Sequence, residues 1–171
     1  LIEFINIKTL ILTDLDYTKS SNTENLIKNS TTTNATINNF YKIEFPGTSP
    51  TVSDLYQWKK NKGNILFGGL AYLLYQGESD NFARTLEEAM LAKHYKITTL
   101  IQKERDEWIS LRKLDNLKYT IPQEGGSYTL RDIVAHTSNG KTDFMYSVIL
   151  NNLTEGMLPD YIKEGLTWLV Q

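Results

Sequence analysis

Two carboxylates stand one residue apart at the end of an apolar run, Thr9-Leu10-Ile11-Leu12-Thr13-Asp14-Leu15-Asp16. A short β-rich run bounded by polar residues reads as a buried strand. Side chains alternate along a strand, so this spacing places Asp14 and Asp16 on one face and turns Leu15 to the other. Like charges this close raise one pKa unless a cation or a donor compensates. Hard oxygen ligands at a rigid strand end are what a Mg²⁺ site requires. The same Asp-x-Asp also serves simply to end a strand and open a turn.

Three further side chains have types suited to chemistry on a charged ester. Thr85-x-x-Glu88 fits a capping box, with Glu88 reaching back to the amide of Thr85. Glu87 then has no local duty, and it follows a second apolar run at the start of a helix. There it is placed to turn toward the carboxyl edge of a sheet, where ligands of open α/β sheets bind; the alternative is a solvated acid favoured by the helix dipole. Arg84 reads either as a phosphate contact or as the partner of a surface acid. Lys141 follows Asn139-Gly140 and precedes a helix that Thr142 could cap; a cation there works against the macrodipole, a placement explained by a phosphate or a developing negative charge. An exposed loop lysine is the other reading.

The elements that must carry these residues follow from pattern. A β-rich run at 70–75, nearly all apolar, reads as a strand buried on both faces. Short helices are expected after caps at Thr33 or Asn34 (bearing Ile37, Phe40 and Tyr41) and at Thr51 or Ser53 (through Leu55 and Trp58, closed by 61–63). A helix opens at Thr85 and runs to about Tyr95. Others are expected at 103–114, at 129–137, at 143–150 with Phe144, Val148 and Ile149 inward, and after Pro159, with Tyr161, Ile162, Leu166 and Leu169 as its packing stripe. A short strand is expected at 117–121. The polar stretch 17–33 is long for a structureless loop in a compact domain. Leu1, Ile2, Phe4 and Ile5 resemble the tail of an amphipathic helix. Strands interspersed with helices point to an α/β fold.

Composition sets outer bounds. One domain is expected for 171 residues, 40% of them apolar and 22% charged. The net charge of −2 supplies no global basic field. No cysteine is present, so disulfides and thiolate metal sites are excluded and a reducing, cytoplasmic setting fits. No apolar run nears the ~20 residues of a membrane span. His94 and His136 lack a partner at metal-ligand spacing, and neither a P-loop nor a nucleophile elbow occurs.

Five stretches in order carry a resemblance: 10–16, Thr33-Asn34-Ala35-Thr36-Ile37, Ala83-Arg84-Thr85-Leu86-Glu87-Glu88-Ala89, Gly140-Lys141-Thr142-Asp143-Phe144, and the closing 159–169. Together they resemble the C-terminal Toprim domain of the OLD (overcoming lysogenisation defect) nucleases. The resemblance implies a Toprim-like parallel α/β sheet flanked by helices, with a helical C-terminal region, and Mg²⁺- or Mn²⁺-dependent cleavage of DNA in phage defence. Asp14 and Asp16 match the family's metal-binding D-x-D, Glu87 the acid of its R-[ST]-x-E motif, and Lys141 its lysine near the C-terminal end. It also implies an ABC-type ATPase domain and a glutamate-bearing first strand upstream of Leu1, and homo-oligomers of the full-length protein. On that expectation 1–171 is a Toprim domain truncated at its N-terminus, and the isolated piece is a poor nuclease or none. The alternative is a non-catalytic Toprim-like module for assembly or regulation.

Overall fold

The computed structural model describes residues 2–18, 23–94, 101–102, 128–129, 141–150, 152 and 154–171. Helix α1 (Ile2–Ile5) leads into β1 (Thr9–Leu12). Three helices follow: α2 (Glu24–Asn29), α3 (Ala35–Glu44) and α4 (Val52–Lys60). Strands β2 (Ile65–Leu66) and β3 (Ala71–Leu74) lead to α5 (Leu86–His94). A separate antiparallel pair, β4 (Ile101–Gln102) with β5 (Tyr128–Thr129), precedes α6 (Lys141–Leu150), α7 (Thr154–Met157) and α8 (Asp160–Val170). The mixed α/β architecture is the expected one.

The main sheet has the order β1-β3-β2. β1 and β3 run parallel, Thr9 opposite Ala71 through Leu12 opposite Leu74, while the two residues of β2 return antiparallel to β3. All four residues of β3 are buried because both faces are covered. Ala71, Leu73 and Tyr75 pack with Leu15, Ile27, Ile37, Leu55 and Trp58. Tyr72 and Leu74 pack on the opposite face with Ala83, Ala89 and Tyr161. Among the described residues no helix is long and apolar enough to cross a membrane.

Caps explain where the helices begin. The Asn34 side chain accepts from the Ile37 N–H (3.2 Å), and Thr51 forms a capping box with Asp54. Several expectations need correction. The stretch 17–33 contains α2, capped by Thr23, and is tied by bridges Tyr17–Thr32 and Thr31–Thr51. Ile149 is exposed on α6, whereas Phe144 and Val148 are fully buried. On α8 the inward residues are Tyr161 and Gly165, and Leu166 and Leu169 are exposed. Thr129 lies in β5 instead of opening a helix. The remainder of that helix at 130–137, the helix at 103–114, the strand at 117–121, the turn at 139–140 and His136 lie outside the described residues.

Candidate functional site

β1 carries the chain to the carboxyl edge of the sheet, where the Thr13 N–H still donates to the Leu74 carbonyl (3.0 Å). Beyond it the backbone leaves the ladder. Asp16 takes φ +48°, a left-handed conformation that aspartate tolerates better than most residues, and its N–H donates to the Arg84 carbonyl (3.1 Å). The strand ends at Leu12, so alternation along a strand does not govern Asp16. Leu15 does turn inward and is fully buried.

Asp14 is held by parts remote in sequence. Its Oδ1 accepts from Gln76 Nε2 (2.8 Å) and from the Leu86 N–H at the head of α5 (2.9 Å). Gln76 is fully buried; its Oε1 accepts from the Leu15 N–H (2.7 Å) and its Nε2 also donates to the Tyr161 hydroxyl (3.2 Å). Asn34 Nδ2 donates to Thr13 Oγ1 (2.7 Å) and to the Asp14 carbonyl (2.9 Å). Burial pushes the Asp14 carboxyl above its ordinary value. The Gln76 and Leu86 donors work against that rise, and the charges of Asp16 and Glu87 add to it.

Glu87 sits in the first turn of α5 and is 7% exposed. Lys141 Nζ, at the start of α6, reaches its Oε1 (2.9 Å), while its Oε2 is buried with no hydrogen-bond partner. Burial acts to raise the Glu87 pKa, but the Lys141 ammonium, together with the residue's own N–H and the Thr85 hydroxyl, outweighs it and the carboxyl lies below its ordinary value. Arg84 is the partner of an acid: its guanidinium lies 3.2 Å from Asp16 Oδ1 and its Nε donates to the Tyr17 carbonyl (2.7 Å). Glu88 caps as expected but one residue further back, accepting from the Arg84 N–H (2.7 Å) rather than from that of Thr85.

Of the four predicted site residues, Glu87 pairs with Lys141 and Asp16 with Arg84, while Asp14 is held by Gln76 and the Leu86 N–H. Asp14 and Glu87 flank the head of α5, Lys141 covers one oxygen of Glu87, and Asp16 is drawn to Arg84. Among the described residues no three His, Asp or Glu side chains converge as a ready metal-ligand set. The donor chemistry nevertheless suits a hard cation: Glu87 Oε2 is a buried anionic oxygen with no donor, beside a desolvated Asp14. Sequence reasoning missed Gln76. Its one signal was a polar residue placed directly after the fully apolar run of β3, at the sheet's carboxyl edge.

No family model matches the chain, and no solved structure matches it. Over its whole length the chain is 28% identical to endonuclease GajA of Bacillus cereus (strain HuB5-5). It spans a quarter of that protein's length. By this likeness the chain is a distant relative of a nuclease.

Proposed function

We propose that this chain is the Toprim portion of an OLD-type, metal-dependent DNA endonuclease. Its metal would be held by Asp14 and Glu87, with Asp16 as the third acid. The observation that carries the reading is the buried Oε2 of Glu87 beside the desolvated Asp14: Lys141 balances the Glu87 charge through Oε1, and Oε2, with no hydrogen-bond partner among the described residues, keeps lone pairs that suit a hard cation. The distant likeness to an endonuclease and the order of the five motifs support it. The remaining three quarters of a relative's length leave room for the upstream ABC-type ATPase domain and for homo-oligomer contacts.

When bound, Mg²⁺ or Mn²⁺ supplies charge neutralisation at the scissile phosphate and an activated water. The chain's own groups do the rest. Gln76 and the Leu86 N–H fix Asp14 through Oδ1, which leaves Oδ2 without a hydrogen bond among the described residues. Lys141, with its side chain 66% exposed, reaches the same site from solvent and would neutralise negative charge on the phosphate oxygens. Arg84 sets the orientation of Asp16 and holds its backbone turn.

Calorimetric titration with Mn²⁺ tests the site: binding is expected in the chain and lost in Asp14→Ala and Glu87→Gln. In the longer protein that contains this chain, Lys141→Ala should slow plasmid nicking by about 10²–10³-fold. Heat of Mn²⁺ binding unchanged by Asp14→Ala would sink the assignment. One observation favours the second reading, a non-catalytic assembly module: Arg84 and Lys141 already occupy Asp16 and one oxygen of Glu87. That reading expects no Mn²⁺ binding by any form of the chain.

A further inference from the structure

We infer that a lysine-lined groove at the C-terminal end of α4 holds the phosphate backbone of duplex DNA, an inference that rests on the nuclease reading above. The groove has a volume of about 670 Å³ and is lined by Lys28, Lys59, Lys60 and Lys62, with Glu78 and Glu164 as its only acids. Both acids are already paired: Glu78 with Lys28 (3.1 Å) and Glu164 with Lys59 (3.2 Å). Lys60 and Lys62 are exposed, and among the described residues neither has an ion-pair partner. A chain of net charge −2 thus concentrates two uncompensated cations in one concave surface. Sequence-independent binding to a nucleic-acid backbone requires that kind of local field.

The dipole of α4 explains lysines in its last turn, Lys59 and Lys60. It does not explain Lys62. That residue lies beyond the helix at φ +61°, the left-handed position of a Schellman turn. Its N–H donates to the Lys59 carbonyl (3.0 Å), and the Gly63 N–H donates to the Trp58 carbonyl (2.9 Å). Glycine is the unstrained occupant of such a position, so lysine holds it at a cost in stability. The position also fits the site. Lys59 Nζ lies 3.4 Å from the Tyr75 carbonyl and Gly77 lines the groove, so the groove borders the segment whose middle residue, Gln76, fixes Asp14.

Fluorescence anisotropy of a labelled 24-base-pair duplex at about 50 mM salt, with EDTA present to prevent cleavage, tests the groove. The chain should bind. Lys60→Glu/Lys62→Glu should weaken binding about tenfold or more and make the salt dependence of log K shallower by about 2, while Lys42→Glu on the exposed end of α3 should not. Lys62→Gly guards against mere misfolding: it should raise the Tm and still weaken binding. A double variant that binds within twofold of the wild type, or a Lys42→Glu loss as large as that of the pair, overturns the inference. So does displacement by polyglutamate as effective as by unlabelled duplex. Mn²⁺-dependent cleavage by the longer protein that survives the groove substitutions sinks the groove alone. Groove-dependent DNA binding with no Mn²⁺ binding and no cleavage sinks the nuclease reading alone.

Discussion

Asp14 is the residue on which the local energetics turn. It is half-buried, close to the charges of Asp16 and Glu87, and its carboxyl is raised by burial first and by those neighbours next. A carboxyl raised in the folded state binds more protons there than in the unfolded chain. Stability is therefore highest where Asp14 is protonated in both states and falls as pH climbs from the ordinary value of 3.8 through the raised folded value. Asn is nearly isosteric, and its Oδ1 can still accept from Gln76 and from the Leu86 N–H. Asp14→Asn should thus raise the Tm at pH 7, by about 2–4 °C for each kcal/mol relieved, and the gain should shrink toward zero near pH 3. Thermal unfolding of both forms at the two pH values checks this. An equal Tm at pH 7 would mean that Asp14 carries no desolvation penalty. The carboxylate itself was legible in the sequence as half of an Asp-x-Asp pair. Its partners were not, because Gln76 lies 62 residues away and only the parallel pairing of β1 with β3 brings the two together.

Helix α8 shows what pattern can and cannot settle for an element. Its sequence carries two overlapping apolar stripes, one through Tyr161, Gly165 and Trp168 and one through Ile162, Leu166 and Leu169. Counting apolar residues favours the second, and the fold buries more of the first. The reason is the sheet beneath: a Cβ at Gly165 would come within 2.7 Å of Leu10 Cδ1 and 2.9 Å of Leu74 Cδ1, so the helix sits as close as glycine permits. Trp168 then meets the Tyr72 ring edge-on at 5.2 Å. Gly165→Ala gains up to ~1 kcal/mol in helix propensity but forces a methyl against a fully buried Leu74, an overpacking cost of ~1–3 kcal/mol. The expected net result is a lower Tm. A Tm at or above the wild type would show that the two leucines have room to move. The caps were easier to read: Asn34, Thr51 and the Thr85–Glu88 pair act within four residues of themselves, so local sequence suffices. The two residues of β2 left no comparable signal, since so short a strand exists only through its pairing with β3.

At the scale of the whole molecule, β3 is the common wall of two cores. Leu73 points into the cluster containing Leu15, Ile37, Leu55 and Trp58, while Leu74 points into the cluster containing Ala89, Tyr161 and the partly buried Trp168. The near-continuous apolar character of β3 announced a strand covered on both faces, but not which segments would cover it. Those segments come from distant parts of the chain, α3 and α4 on one side and α5 and α8 on the other. Neither core can lose its half of β3 without disturbing the backbone that serves the other, because the register of β1 with β3 places consecutive residues on opposite faces. Unfolding of the two cores should therefore be a single event. Trp58 reports on the first core and Trp168 on the second, so in a Trp108→Phe background the single substitutions Trp168→Phe and Trp58→Phe isolate the two signals. Leu73→Ala, a cavity in the first core costing ~2–5 kcal/mol, should lower the urea midpoint by about 1 M or more. The shift should be the same with either reporter. A shift seen through Trp58 alone, with the Trp168 transition unmoved, would show that the faces of β3 melt separately and that the platform under Asp14 does not depend on the α3–α4 side.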